Sequence, residues 1–376
     1  MKKRVLFCGG GTGGHIFPIV AIVRQLKKLS PKLEFFYSGP EDPFSAIYLG
    51  KEGIQCRFVL AGKIRRYFNF FSFFQNLFDL FFKTPLGILQ SLGLLLSVKP
   101  SLVFAKGGFG SFPVVFAAKL LGKKIILHES DAEMGLANKI LANFADIILI
   151  SFPIFEKFPK EKRVIFVGHP VREELLEKAD KEEAKKYFKI TGEKPVVLVL
   201  GGSQGAERIN EKILSSLCDF LEEFEILHQT GKRNFERVKR FADHLLQTRK
   251  KLTLYYHPFP FFEEEELRMA FSVADFVVSR AGAGTIAEIL AHELPSVLIP
   301  LPEAAQQHQL KNAFFLEKQG AAILIQEENF TPTLLKLQIK RILSKPSLLD
   351  EMKENIKKLA KPKAASEIAK IILENL

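Results

Sequence analysis

A chain of 376 residues is too long for one compact core and suits two domains of ordinary size. With 47% hydrophobic and 26% charged residues it is globular in composition, neither disordered nor fibrous, and its net charge of +12 would attract anionic lipid, nucleic acid or phosphate-bearing substrates. Cys8, Cys56 and Cys218 stand far apart with no Cys-x-x-Cys pair, which excludes a disulfide framework or a zinc site and points to a reducing cytosol.

After Met1–Arg4 the apolar run Val5–Cys8 is too short for a signal peptide, and none is expected. No uncharged apolar stretch reaches the roughly 18 residues that cross a bilayer, Thr84–Val98 being the longest. The chain is therefore expected to touch a membrane without spanning it. Short apolar runs alternate with longer amphipathic segments. Val5–Phe7, Leu33–Tyr37, Leu102–Phe104, Ile125–Leu127, Ile147–Ile150 and Arg163–Val167 read as strands of one half. Val196–Leu200, Glu225–His228, Leu252–Tyr255, Phe276–Val278 and Ser296–Ile299 read as strands of the other. Short strands apolar on both faces and separated by helices indicate α/β domains with doubly wound parallel sheets. The pattern restarts near residue 195, giving two Rossmann-like domains, 1–167 and 168–349. A Lys-rich helix over about 350–376 is expected to pack back on the first.

Four glycine loops follow strands and open helices: Gly9–His15, Lys106–Ser111, Gly201–Ala206 and Ser279–Thr285. Glycines let backbone approach a ligand, and a helix N-terminus offers free N–H groups and a positive dipole end to phosphate. One such loop is a weak signal; four at the carboxyl ends of parallel strands point to a phosphate-bearing ligand. His15 adds a titratable imidazole at the mouth of the first loop.

Residues 67–83 are amphipathic: Phe70, Phe73, Phe74, Leu77, Phe78, Phe81 and Phe82 fall on one face, Asn69, Ser72, Asn76, Asp79 and Lys83 on the other. With Lys63, Arg65 and Arg66 ahead of it, the segment suits an anionic membrane interface; a core-facing stripe is the alternative. The remaining cationic excess is spread over Lys-rich helices, a solvated surface rather than a nucleic-acid site.

Further residues carry a family likeness. Gly10-Gly11-Thr12-Gly13-Gly14-His15, His128-Glu129-Ser130-Asp131 with Gly135-Leu136-Ala137-Asn138, and Gly168-His169-Pro170-Val171-Arg172 recur in order. They are followed by Gly201-Gly202-Ser203-Gln204-Gly205-Ala206, Arg280 to Glu288, and His308-Gln309-Leu310-Lys311-Asn312-Ala313. Together these resemble the peptidoglycan N-acetylglucosaminyltransferases of MurG type and GT-B fold, over nearly the whole chain. The resemblance implies two Rossmann-like domains facing across a cleft. It also implies inverting transfer of GlcNAc from UDP-GlcNAc to undecaprenyl-pyrophosphoryl-MurNAc-pentapeptide (lipid I), giving lipid II, at the cytoplasmic face of the bacterial membrane. The acceptor's lipid tail favours the membrane reading of residues 67–83.

Carried over by position, the resemblance puts Thr12, Gly13, Gly14 and Asp131 near the donor sugar, and Arg172 and Ser203 on UDP. Ala283, Gly284, Thr285, Ile286, Ala287 and Glu288 would wrap the nucleotide, with Glu288 on the ribose. His308, Gln309 and Asn312 would read the GlcNAc hydroxyls. Gly10, Gly11, Gly107, Gly108 and Gly110 would hold the acceptor pyrophosphate. Asp131 stands where the family commonly has Asn, and Pro258–Leu267 is lengthened, leaving the uracil contact unassigned. His15 is the candidate general base, with Glu129 as a second acid–base or orienting group. No Asp-x-Asp triplet is present, so no protein-bound metal or cofactor is expected, and helix N-termini with Arg172 and Ser203 would stabilise the leaving UDP. A UDP-GlcNAc 2-epimerase or another UDP-sugar enzyme of the same architecture is the alternative. An NAD-dependent dehydrogenase would explain the first loop alone, and a non-catalytic basic module would explain neither His15 nor Glu288.

Overall fold

The computed structural model describes the chain apart from residues 1–2, 11–12, 64–69, 154–157, 159–160 and 203–204, and the side chain of residue 71. It divides into two compact units, Met1–Arg172 with Lys363–Leu376, and Glu173–Pro362. The boundary thus lies at Arg172/Glu173 rather than Val167/Gly168. Of the 350–376 stretch, helix Pro346–Leu359 belongs to the second unit and Ala364–Glu374 to the first.

In the first unit β1 (Arg4–Cys8), β2 (Glu34–Gly39), β3 (Gln55–Phe58), β4 (Leu102–Ala105), β5 (Lys124–Glu129), β6 (Ile147–Ile150) and β7 (Arg163–Phe166) form a parallel sheet in the order β3-β2-β1-β4-β5-β6-β7. One face buries Val5, Phe7 and Phe104 against Ile16–Leu26 and Ile368–Ile372; the other buries Leu6, Val103 and Leu127 against Leu95, Val98 and Val114–Ala118. Burial on both faces is why these strands read as unbroken apolar runs. In the second unit β8 (Val196–Leu200), β9 (Glu225–Gln229), β10 (Tyr256–Phe259), β11 (Phe276–Ser279), β12 (Ser296–Leu298) and β13 (Ile323–Leu324) pair in parallel in the order β10-β9-β8-β11-β12-β13. Strand order reverses between β1 and β4 and between β8 and β11, the two switch points where loops diverge and leave room for ligands.

The strand expected at Leu252–Tyr255 is instead a 3₁₀ turn, Lys250–Tyr255, and β10 starts at Tyr256. Leu254 is exposed and Leu252 N–H bonds back to Arg249 O, so the segment has no apolar face to bury in a sheet. β3 and β13 went unread. The first is a half-exposed edge strand with charged Arg57, and the second has only two residues, so neither shows an apolar run.

Residues 70–98 form one rod: helix Phe70–Phe78, a π-helical turn Asp79–Lys83, and helix Thr84–Val98. The sequence reading treated its halves separately; as one rod, Ser72–Val98 is long and apolar enough to cross a membrane by length and composition. Here Gly87, Ser91, Leu95 and Val98 are buried, the last two in the cluster that holds Val114, Val115 and Ala118. The polar stripe of the first half faces the protein. Asp79 is 4% exposed, pairs with Lys83 Nζ at 3.0 Å and accepts from Lys63 N at 3.2 Å. Ser72 is buried as well, whereas Phe70, Phe73, Phe74, Phe78, Phe81 and Phe82 are 53–82% exposed. The core-facing alternative is therefore excluded for the six phenylalanines. Asn69, with Arg65 and Arg66, lies outside the described residues.

Candidate active site

At the first switch point, loops from the carboxyl ends of β1, β4 and β5 converge on His15. The imidazole lies between two glycine loops: a Cβ on Gly10 would fall 3.2 Å from Nδ1, and one on Gly108 3.2 Å from Nε2. A side chain at either position would press on the ring. Gly107 and Gly108 also have φ of 95° and 78°, which side-chain-bearing residues resist. His15 is half-buried, and burial, then the neighbouring Lys106 ammonium, push the imidazole down to about 3. It is therefore neutral over the physiological range.

Glu129, at the end of β5, is 3% exposed and bound from several sides. Oε1 accepts from Ser130 N (2.7 Å) and Asp131 N (3.0 Å), and Oε2 from Gly135 N (3.3 Å) and Asn138 Nδ2 (2.7 Å). Burial raises its carboxyl, with the Asp131 charge adding to the rise. A carboxylate committed to so many donors shapes the 130–138 loop. Asn138 passes that order on, its Oδ1 accepting from Gly108 N at 3.0 Å. A Cβ on Gly107 would collide with the Asn138 amide, and one on Gly110 would lie 2.5 Å from Gly9 O. Tyr37 OH donates to Gly9 O at 3.2 Å, bracing the first loop from β2.

The sequence reading gave no role to Lys106 or Asn138. Lys106 is 1% exposed, and its Nζ donates to Ser130 Oγ. Burial lowers its ammonium to about 8, while Glu129 and Asp131 act in the opposite sense. The available signal was a lysine following four strand residues and preceding two glycines, where burial is unavoidable. Gly13 and Gly14 open the helix Gly13–Leu29; Gly11 and Thr12 lie outside the described residues. Arg172 belongs to the first unit, its guanidinium 4.3 Å above the Phe17 ring.

At the second switch point the residues are mostly uncharged. Gly201, Gly202 and Gly205 follow β8; Gly202 and Gly205 have φ of 77° and 79°, and Gln229 Nε2 donates to Gly202 O at 3.2 Å. Ser203 lies outside the described residues. After β11, Arg280 Nη1 donates to Ile299 O and Pro300 O, Nη2 pairs with Glu327, and helix Ala283–Ala291 begins. Ala283 and Ile286 point into the core, so only their backbone can meet a ligand; Gly284, Thr285, Ala287 and Glu288 are half-buried. Asn312, expected on a sugar hydroxyl, is fully buried and donates from Nδ2 to Ala281 O at 3.1 Å, holding the loop. Gln309 Oε1 accepts from Leu301 N at 2.9 Å, and His308 Nδ1 donates to Ala305 O at 2.7 Å. Among the described residues no group of three or more His, Cys, Asp or Glu could hold a metal ion.

The profile of the glycosyltransferase family 28 N-terminal domain matches residues 5–150, and that of its C-terminal domain matches 196–368. The chain belongs to glycosyltransferase family 28. A Borrelia garinii relative, a UDP-N-acetylglucosamine–N-acetylmuramyl-(pentapeptide) pyrophosphoryl-undecaprenol N-acetylglucosamine transferase, is 37% identical over 100% of this chain and 98% of its own length. A relative of the same name from Caldanaerobacter subterraneus is 34% identical over 98% and 99%. Among solved structures, MurG of Acinetobacter baumannii superposes with a TM-score of 0.74 at 26% identity, over 99% of each chain. UDP-GlcNAc 2-epimerase of Neisseria meningitidis superposes with a TM-score of 0.67 at 14% identity, covering 99% of this chain and 100% of that one, a likeness of fold alone. As a member of this family the chain is a hexosyltransferase with two GT-B-type parallel-sheet domains.

Proposed function

We propose that the chain transfers GlcNAc from UDP-GlcNAc to undecaprenyl-pyrophosphoryl-MurNAc-pentapeptide, the transfer its relatives are named for, and that a MurNAc hydroxyl attacks with inversion. The observation that carries the reading is an imidazole seated between two glycine loops, in a chain alike over its whole length to those transferases. His15 takes the proton of the attacking hydroxyl. For this it must be unprotonated when substrate arrives, and the loops after β1 and β4 keep it so. The acceptor pyrophosphate, held by Gly10, Gly107, Gly108 and Gly110, brings negative charge to the same loops and strengthens the base once bound. Glu129 positions this machinery through Asn138.

The donor is held by the second unit. The N-terminus of helix Ala283–Ala291, with Gly284 and Thr285, faces the diphosphate, Glu288 accepts from the ribose, and His308 and Gln309 line the sugar. Leaving-group charge is met by these N–H groups, so transfer proceeds without a protein-bound metal. The exposed phenylalanines of residues 70–82 seat the first unit on an anionic bilayer, placing the enzyme peripherally at the cytoplasmic face of the bacterial membrane where its lipid acceptor resides. Nucleic acid is not a partner.

The test is transfer of radiolabelled GlcNAc from UDP-GlcNAc to a short-chain lipid I analogue with EDTA present. Label in a lipid product supports both the transfer and its independence from metal. No lipid product even with magnesium restored, with epimerised or free sugar released instead, would favour epimerase chemistry on the same fold.

A further inference from the structure

We propose that Gln229 is a positioning residue for the donor site: its buried amide ties the glycine loop after β8 to the segment after β10, and so holds that loop in the shape a nucleoside diphosphate meets. The inference rests on the donor being held at the second switch point.

Gln229 is the last residue of β9. In register it lies between Leu200, the last residue of β8, and Phe259, the last residue of β10. Its Nε2 donates to Gly202 O at 3.2 Å, and its Oε1 accepts from Phe262 N at 2.9 Å. Gly202 O also accepts from Gly205 N at 3.1 Å, so one carbonyl carries both the closure of the turn and its anchor. A turn built on glycines has the most backbone freedom to lose, and keeps one shape only when something outside it holds it. Thr230, the next residue, adds a second hold. Its carbonyl accepts from Asn210 Nδ2 at 2.9 Å and Asn234 Nδ2 at 3.2 Å, and a Cβ on Gly205 would lie 2.6 Å from that oxygen. On its other side Thr230 donates from N and Oγ1 to Phe259 O, at 2.9 and 3.1 Å. The end of β9 therefore grips the loop after β8 and the end of β10 together, and Gln229 is bonded to both. At 5% exposure neither of its bonds can be replaced by bulk water. β8 stands between Gln229 and the switch point, so the amide acts on a ligand there through the loop. A loop ordered in advance spares the donor that ordering cost on binding.

The experiment compares wild type, Gln229→Met and Gln229→Glu in the full chain, by calorimetry with UDP, transfer kinetics, and NMR of the Gly201, Gly202 and Gly205 amides. Methionine fills the same space without either bond. An ionised glutamate still accepts from Phe262 N but offers Gly202 O no donor. UDP is expected to shift the three glycine amides of wild type. In both variants UDP affinity should fall by about tenfold, the upper worth of one neutral hydrogen bond, and KM for UDP-GlcNAc should rise to match, with kcat at saturation little changed. Protonating the buried glutamate restores a donor, so affinity of Gln229→Glu relative to wild type should recover as pH falls; this arm decides the matter if Gln229→Met does not fold. Folded variants that bind UDP as wild type does, with only the second unit's unfolding transition lowered, would show that Gln229 merely supports the fold; they overturn the proposal and leave the second unit as the holder of the donor. Glycine amides unmoved by UDP in wild type would remove the donor from this loop, and the proposal with it.

Discussion

In the first unit, the strand ends at the switch point carry Lys106, Glu129 and Asp131 around His15, most of them buried and interacting. In the second, the corresponding strand ends carry glycine turns and an arginine already paired with Glu327, with the Asn312 amide reaching in from helix His308–Lys318. Both are doubly wound sheets with glycine loops after the central strands, so the loops alone do not tell the two apart. What separates them is the side chain that borders the glycines, a histidine and a lysine in one case and, in the other, an arginine committed to Glu327 and to backbone carbonyls. Buried charge can move a proton, whereas backbone N–H groups and neutral donors recognise a nucleotide sugar without reacting with it. We read the first unit as the reacting half and the second as the holding half.

The sharpest way to break that division is His15→Ala. It should lower kcat by about 10²- to 10⁴-fold, the usual worth of a general base, while UDP-GlcNAc affinity by calorimetry stays at the wild-type value. A parallel fall in donor affinity would mean that the imidazole serves the nucleotide and the division is misplaced. Next comes Asn138→Ala, which takes from Gly108 N its side-chain acceptor and leaves Glu129 Oε2 with Gly135 N but without its shorter bond, in a buried setting. A loss of about 2–3 kcal/mol is expected in urea unfolding of the first unit, with the second unit's transition unmoved. Equal destabilisation of both transitions would show that the units do not unfold as separate bodies.

Much of this division was legible beforehand, and the parts that were not share a cause. The four glycine loops, His15 and the two-sheet architecture show in sequence because each is local: a strand run, a glycine turn, a neighbouring side chain. Lys106 and Asn138 were quoted within motifs but given no role, because their function lies in contacts 24 and 30 residues away, to Ser130 and Gly108. The Asn312 contact to Ala281 O is illegible for the same reason, since it spans 31 residues. The amphipathic stretch at 67–83 was seen, but sequence could not say which face turns inward. Asp79 decides that: it is buried and accepts from the Lys63 backbone, which holds the polar stripe to the protein.

That orientation gives the third prediction. Replacing Phe73 and Phe81, both exposed, with serine should reduce partitioning onto anionic vesicles by about tenfold per site, since each buried aromatic is worth roughly 1.5–3 kcal/mol. Turnover of a short-chain acceptor in solution should be unaffected, because neither ring is part of the core. Loss of soluble activity would place this helix in the reacting half after all.

The smallest effect concerns the holding half. Glu288→Gln keeps the shape of a half-buried side chain on the helix that opens after β11 but weakens it as an acceptor for two ribose hydroxyls. A neutral amide oxygen accepts less strongly than a carboxylate, so KM for UDP-GlcNAc should rise by about tenfold, near the 1.4 kcal/mol separating charged from neutral hydrogen bonds, with kcat little changed. Binding lost equally in ground and transition states raises KM alone. A fall in kcat instead, with KM unmoved, would mean that Glu288 acts only as the transfer proceeds, and the second unit would then take part in the chemistry rather than hold the donor for it.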